Sequence, residues 1–262
     1  MDPLAELLRC PSCDGALTED LACGCGRWGR WRGIPRLVRE GEVRGTDRLM
    51  RLFYDGLPRL HDPAVRWLLP VLQGGPASDI REGTMRRLAL GGLRGGRILE
   101  VGIGAGAHLP LIRRDLPRGS APLVVGADLS LGMLAQCQRR LDRGVGLDVR
   151  LVQADAHALP FASGAFDRVF HVGAMGSYRD PRSALAEMAR VAKPGTPIVV
   201  VDEQLDPARR HGLLTRAAFR ALTFYDRAPH CPRELLPPGA THVREEQVSR
   251  FYYCLSFSMP PR

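Results

Sequence analysis

From Arg97 onward, short apolar runs alternate with amphipathic stretches. Residues 98–101, 123–127, 149–153, 166–172 and 198–201 are nearly continuous in Val, Ile, Leu, Ala and Phe, as strands buried on both faces of a sheet must be. Between them, 107–114, 133–141 and 182–191 carry helical spacing, and Leu185, Met188 and Ala192 fall on one face of the last. This alternation predicts a doubly wound α/β sheet with right-handed crossovers and a ligand crevice at the carboxyl ends of its strands. A longer helix over 213–225 precedes "THVREEQVSRFYYCLSFSM", two strands with little room for a crossover helix between them. An antiparallel hairpin at the sheet edge fits that tail.

Upstream, the pattern divides differently. Residues 46–90 read mostly as helix: "RLMRLFYDGLPRL" and "DPAVRWLLPVL" are amphipathic, broken at Pro58, Pro63 and Gly74–Gly75–Pro76, and Met85, Leu88 and Leu90 belong to a further short helix ahead of Gly91. Residues 1–40 hold "CPSCDGALTEDLACGCGRWGRWRGIPRLV", with little core of their own. The chain is therefore read as an N-terminal knuckle over 1–40, a helical linker and cleft cover over 41–90, and the main α/β domain over 91–262.

Composition narrows the setting. The 262 residues are 45% hydrophobic and 25% charged, an ordinary globular balance that excludes a disordered chain. No apolar run reaches the ~18 residues a membrane span needs, and "MDPLAELLRC" lacks the basic end and apolar core of a signal peptide, so the cytosol is the default location. The formal charge of +9 attracts polyanions, yet of the 37 basic residues only Lys193 is a lysine. The arginines are scattered, often beside Asp or Glu, which marks a composition bias more than a binding face. Without a secretion signal, clustered cysteines point to metal before disulfides. Cys10, Cys13, Cys23 and Cys25 can supply the tetrahedral thiolates of a structural zinc site. The tight CxC of the second pair leaves reduced cysteines in a small hairpin as the alternative.

The stretch "GGRILEVGIGAGAHLPLI" carries the chemistry. Gly102, Gly104 and Gly106 stand at intervals of two, unlike the GxGxxG of dinucleotide sites, and no P-loop Lys–Ser/Thr pair follows. The acidic residues decide between ligands. Glu100 ends the first strand, awkward beside a pyrophosphate and welcome beside a cation. Asp128 ends the second in "VVGADLS", where two carboxylate oxygens can accept from paired ribose hydroxyls; a plain helix cap before Ser130 is its other reading. Asp155 closes the third in "LVQADAHALPF", placed to accept from an exocyclic adenine amine. A phosphate-free ligand with an amino-acid cation, a ribose and an adenine satisfies all three: S-adenosylmethionine.

On "ILEVGIGAGAHL", "VVGADLSLGML", "VQADAHALPFASGAFDRVFHVGAM" and "ALAEMARVAKPGTPIVVVD", the region from about 82 to 204 resembles the class I S-adenosylmethionine-dependent methyltransferases, especially the branch of quinone and other small-molecule methyltransferases. The resemblance implies a Rossmann-like, seven-stranded sheet with its last strand antiparallel. It implies that Glu100 supports the methionine part, that Gly102, Gly104 and Gly106 let backbone approach the cofactor, and that Asp128 holds the ribose. It further implies Leu129 and Met133 against the adenine region, Asp155 and Ala156 framing the adenine edge, and His171 lining the cleft beside the transferred methyl. "LRCPSCDGAL" and "GIPRLV" resemble zinc-ribbon-like segments ahead of some methyltransferase domains, including certain ribosomal-RNA guanine methyltransferases.

A sulfonium is already a strong methyl donor, so in-line transfer to an O, N or C nucleophile draws its rate chiefly from proximity and orientation. A base is needed only where the acceptor must lose a proton. His171 is the first candidate, with plain packing as its rival; Tyr178 can orient an acceptor or merely pack. His157 is expected to shape the adenine loop, Asp167 to be structural, and Tyr54 either to cover the cleft or to pack its helix. Asp202 and Glu203 border the crevice, toward a cationic acceptor or only solvent. The leading expectation is methylation of a compact organic acceptor; an rRNA methyltransferase that uses the knuckle to contact RNA and a non-catalytic cofactor-binding scaffold are the alternatives. The sequence carries no signal for oligomeric state.

Overall fold

The computed structural model describes residues 2–56, 78–173 and 175–261. The expected amphipathic segment "DPAVRWLLPVL" and the breaks at Pro58, Pro63 and Gly74–Gly75–Pro76 lie outside the described residues.

A nine-stranded sheet organises the chain. Its parallel centre is β5 (Arg97–Val101), β6 (Leu123–Asp128), β7 (Asp148–Ala154), β8 (Arg168–Val172) and β9 (Ile198–Glu203). At one edge the tail forms the anticipated hairpin of β10 (Thr241–Gln247) and β11 (Tyr252–Ser258), and β11 runs antiparallel beside β9. These are the seven strands of the sequence expectation. The opposite edge is extended by the N-terminal segment: β3 (Gly29–Trp31) pairs antiparallel with β4 (Ile34–Leu37), and β4 lies parallel to β7 through Arg36 opposite Gln153 and Leu37 opposite Ala154. The strand order is β10-β11-β9-β8-β5-β6-β7-β4-β3. A hairpin of β1 (Ala22–Cys23) and β2 (Gly26–Arg27) stands apart.

Neighbouring residues of each central strand enter opposite cores, as a pleated strand covered on both faces requires. Ile98, Val124 and Val199 join one cluster with Met85, Leu88, Ile112, Leu134 and Phe219. Leu99, Val125 and Val200 join the other with Leu185 and Met188. The first face is covered by α2 (Ser78–Leu88), α3 (Leu109–Asp115), α4 (Leu131–Leu141) and α6 (Leu213–Leu222). The second is covered by α5 (Pro181–Val191) together with Leu4, Leu7, Leu8, Leu17 and Leu37 of the N-terminal segment. That segment is thus part of the layered core. Leu8 bridges Phe161, and the Arg9 and Ala162 amides donate to the Pro160 and Leu7 carbonyls.

Local chemistry sets the helix starts. Ser130 accepts from the Met133 amide ahead of α4, and Asp180 from the Ser183 amide ahead of α5, with Pro181 at the first helical position. At the opposite end of the sheet, Asp167 accepts from the Arg97 amide and pairs with Lys193.

Candidate cofactor and acceptor site

Parallel strands bring the ends of β5 to β9 to one edge, and the chain places its chemistry there. After β5 the backbone turns through Gly102, Gly104 and Gly106 with φ of +71°, +55° and +74°, a left-handed conformation that disfavours any side chain. Packing adds to this most strongly at Gly106, where a Cβ would stand 2.8 Å from Cys137 Sγ; at Gly102 and Gly104 it would crowd His171 Nδ1 and Met133 Cε, each at 3.2 Å. The loop is pinned to β6, because the Gly102 and Ile103 amides donate to the Ala127 carbonyl and the Gly104 amide to Asp128 Oδ2 at 2.8 Å.

Asp128 spends its other oxygen on the Ser130 amide, also at 2.8 Å. Burial, opposed by these two amides, pushes its carboxyl up to about 6. Leu129 and Met133 follow it at the start of α4, with Met133 buried. Glu100 is buried beneath the loop, where Oε1 pairs with His108 Nδ1 at 2.7 Å. Its Oε2 has no hydrogen-bond partner among the described residues. Burial raises its carboxyl, and His108 opposes that shift. A buried, half-satisfied carboxylate under a glycine loop retains one unmet acceptor oxygen.

Asp155 lies at the next strand end with both oxygens engaged. Oδ1 accepts from the His157 amide and from His157 Nδ1 at 2.6 Å, and Oδ2 pairs with Arg179 at 2.9 Å. Burial opposes ionisation, but His157 and Arg179 prevail and hold the Asp155 carboxyl below its usual range. His157 Nε2 accepts from the Asp180 amide, so the ring proton sits on Nδ1, facing Asp155. Ala156 sits in this turn, packed against the sheet core.

Helix α1 (Thr46–Gly56) is tied at both ends to segments that follow these strands. Asp47, in its first turn, is buried and accepts from the Arg179 amide and guanidinium; Arg179 therefore bridges Asp47 and Asp155. Asp55, near its end, accepts from Ser130 Oγ at 2.5 Å and from the Gly132 amide at 2.9 Å, capping α4 from outside. The Tyr54 phenol stands near Asp128, Asp202 and Glu203; burial and those charges raise it.

Toward β8 and β9 the lining changes. His171 is buried with Nδ1 2.8 Å from the Val101 carbonyl, which requires the proton on Nδ1. Its Nε2 has no partner among the described residues, and burial lowers the imidazole to about 4. The Tyr178 ring lies between His157 and His171, its hydroxyl 3.4 Å from His171 Nδ1. Asp202 and Glu203 are buried side by side at the end of β9. Asp202 Oδ2 accepts from the Gly176 amide, its Oδ1 has no partner among the described residues, and Glu203 accepts from Tyr252 at 3.3 Å. Burial and the Glu203 charge raise the Asp202 carboxyl far above its usual range.

The structure thus gathers Tyr54, Glu100, the glycines, Asp128, Asp155, His171 and Tyr178 at one edge of the sheet. Sequence reasoning did not single out His108, Asp47, Asp55 or Arg179. His108 carried a signal, lying just beyond the last glycine of the loop; the other three serve contacts that no local pattern announces.

Cys10, Cys13, Cys23 and Cys25 converge as well, all four sulfurs lying within 4.8 Å of one another. The Ser12 amide and Trp28 Nε1 both approach Cys10 Sγ at 3.4 Å.

Known proteins resemble this chain in sequence and in fold. A methyltransferase-domain family matches residues 98–195. The ubiquinone/menaquinone biosynthesis C-methyltransferase UbiE of Stutzerimonas stutzeri (strain A1501) is 36% identical over 194 residues, covering 70% of this chain and 69% of that protein. The demethylmenaquinone methyltransferase of Thermus thermophilus is 40% identical over 129 residues, covering 49% of this chain and 57% of that protein. The chain spans about half the length of the first curated relatives it matches, between 44% and 57%. Among solved structures, the fold is shared with phosphoethanolamine N-methyltransferase 2 of Haemonchus contortus bound to S-adenosyl-L-methionine, at a TM-score of 0.62 and 15% identity over 84% of this chain and 61% of that one. It is shared too with the geranyl diphosphate C-methyltransferase of Streptomyces coelicolor A3(2), at 0.58 and 15% over 82% and 98%. With the matched domain and the UbiE relationship set beside the strand-end geometry, the chain belongs to the class I S-adenosylmethionine-dependent methyltransferases.

Proposed function

We propose that this chain transfers a methyl group from S-adenosylmethionine to a small quinol-type acceptor, forming a carbon–methyl bond on an electron-rich ring. The observation that carries the reading is the pairing of two receptors on one edge: Glu100, half satisfied beneath a glycine loop and beside Asp128, and the Asp202–Glu203 pair across from it. The names of the relatives, quinone methyltransferases, agree with that acceptor class.

When bound, the cofactor supplies an electrophilic methyl on a sulfonium. Glu100 would face the cationic methionine end, Asp128 would accept from the ribose hydroxyls, and Leu129, Asp155 and Ala156 would frame the adenine. His108 and the two backbone amides position those carboxylates. Strapped down by Asp47 and Asp55, α1 would exclude water from the cleft.

Transfer to a ring carbon breaks the sulfonium–methyl bond and displaces the hydrogen of that carbon: an adjoining hydroxyl gives up its proton to activate the ring, and loss of the ring C–H proton restores the aromatic quinol, so one proton leaves overall. His171, lowered to about 4 by burial, stays neutral and is suited to accept a hydrogen bond through Nε2. Tyr178 beside it would orient the acceptor. Asp202, whose Oδ1 has no partner among the described residues and whose hold on a proton is strengthened by burial and the neighbouring Glu203 charge, is a stronger base than His171 when it enters the step ionised.

We also propose that Cys10, Cys13, Cys23 and Cys25 hold one structural zinc. A tetrahedral ion with Zn–S of about 2.3 Å separates its sulfurs by about 3.8 Å. The close pairs here stand at 3.1 to 3.8 Å, and two N–H groups support Cys10. Four ligands close the shell, so the ion would take no part in transfer.

Calorimetric titration with S-adenosylmethionine, then labelled-methyl transfer to reduced demethylated quinones and to undermodified ribosomal RNA in parallel, tests the reading. Label in the quinol is the expected result; label in RNA alone, or no cofactor binding, would overturn it.

A further inference from the structure

The large hydrophobic side chains left exposed among the described residues fall in two short segments of the chain. They are Leu49 and Leu52 on α1, Leu213 and Leu214 on α6, and Phe224 just beyond it. Leu213 and Leu214 are 87% and 88% exposed, close to what an extended chain would show. Helix α6 is amphipathic in an inverted sense. Phe219 is buried toward the protein, while Leu213, Leu214 and Ala217 lie on its outward face, with Ala221 and Phe224 continuing the stripe.

Positive charge surrounds that stripe. Residues 204–230 hold five arginines, Arg209, Arg210, Arg216, Arg220 and Arg227, against Asp206 and Asp226, and all five arginines are exposed. Asp206 is buried and pairs with Arg209. Asp226 turns inward toward Gly176. The outward charge is therefore positive around a set of bare leucines.

The location matters. The two helices with exposed apolar residues are the two that border the acceptor side of the cleft: Tyr54 of α1 and Tyr225, which follows α6, both stand near Asp202 and Glu203. We propose that α6, assisted by α1, docks the protein on an anionic bilayer surface, with Leu213 and Leu214 entering the headgroup–acyl boundary and the arginines meeting lipid phosphates. An outward helix face that is apolar along its length and flanked by arginine has the composition of an interfacial helix. A protein partner would be expected to find a concave or flat patch, whereas these leucines crown the first turn of a helix. No helix among the described residues is long and apolar enough to cross a membrane, and the attachment proposed is a peripheral one. Docking in this way would open the acceptor mouth toward a prenylated quinol within the bilayer; that consequence rests on the proposed function, while the docking itself does not.

The test is co-sedimentation of the full chain with vesicles of phosphatidylcholine alone and of phosphatidylcholine mixed equally with phosphatidylglycerol, at low and high salt. Binding is expected to the anionic vesicles and to weaken with salt, by roughly fivefold for each arginine screened from its lipid phosphate. Leu213→Ser with Leu214→Ser should weaken it by at least roughly tenfold. Arg210→Glu with Arg216→Glu should abolish the preference for anionic lipid. Both double variants should keep the wild-type unfolding temperature and cofactor affinity, because these side chains are exposed. Absence of wild-type binding to anionic vesicles, or equal binding by the leucine variant, overturns the proposal. So does leucine-dependent self-association, or leucine-dependent capture of an acidic protein, without vesicle binding. The vesicle assay contains neither cofactor nor acceptor. Failure of methyl transfer to a water-soluble, short-chain quinol would instead count against the proposed function.

Discussion

Substituting Asp128 with Asn tests the cofactor site most directly. In the folded protein one carboxylate oxygen accepts from Gly104 and the other from Ser130, both at 2.8 Å, leaving lone pairs for the ribose hydroxyls. Asparagine keeps the shape but turns an NH2 group toward one of those amides, so a donor faces a donor, and one acceptor for the ribose is lost. Hydrogen bonds to a charged acceptor are worth about 1.5–3 kcal/mol each, and an unsatisfied donor costs about 1–3 kcal/mol. The facing donors are present with and without cofactor and lower stability, while the lost ribose acceptor, about 1.5–3 kcal/mol, corresponds to a roughly 10- to 150-fold rise in Kd for S-adenosylmethionine.

The same residue sets a pH dependence. Burial raises the folded Asp128 carboxyl from 3.8 to about 6, so its ionisation withdraws stability as pH rises through that interval. Ribose hydroxyls donate to the ionised form, so cofactor binding must pull the value back down. One pH unit below its midpoint the group is roughly one-tenth ionised, and two units above almost fully so. Wild-type Kd should therefore fall by roughly tenfold between those two pH values, and the thermal shift from bound cofactor should grow correspondingly. Asp128→Asn should abolish this dependence. Isothermal titration across that range is the assay. A wild-type Kd that ignores pH, or an Asn variant with unchanged affinity, would refute the ribose assignment.

Further substitutions probe the parts around it. Arg179→Gln removes the cation that bridges buried Asp47 and Asp155, leaving Asp155 to His157 alone; a loss of about 2–3 kcal/mol, seen as a Tm lower by roughly 4–10 °C, is expected with weaker cofactor binding, and an unchanged melt would dismiss the strap across α1. Gly106→Ala puts a Cβ 2.8 Å from Cys137 Sγ and 2.9 Å from Leu109 Cδ1 at a φ of +74°. Urea unfolding should show about 2–4 kcal/mol of destabilisation, of which Cys137→Ala in the same chain restores the part owed to Sγ and neither the Leu109 contact nor the backbone part; no restoration would contradict this geometry. Arg36 donates to Gln153 Oε1, and Gln153 Nε2 donates to the Leu129 carbonyl, each at 3.0 Å. Arg36→Ala should thus raise cofactor Kd by roughly three- to tenfold with metal content unchanged, and an unaltered Kd would cut this link. Removing zinc with a chelator, or Cys10→Ser, should release zinc measurable by elemental analysis and weaken cofactor binding through the same link; purified protein without zinc would end that account.

The sequence by itself determined the layered centre. Runs such as "RILEV" and "IVVVDE" have no polar face, so they can only be strands covered on both sides, and their parallel order places Glu100, Asp128 and Asp155 on one edge. The glycine loop was legible for the same local reason: three residues at left-handed φ are a property of a few consecutive positions. Only the tertiary structure decided what lies between distant segments. "GRW" and "IPRL" are too short and too polar to announce strands, and they become strands because the open edge of β7 offers unpaired backbone groups. The reach from Asp47 to Arg179, from Asp55 to Ser130 and from Arg36 to Gln153 depends on how the chain returns through space, which no local periodicity encodes. The same holds for α6. The sequence led to a helix over 213–225, but which face meets the protein and which meets solvent is settled only when Phe219 finds Phe251 in the core and the leucines do not.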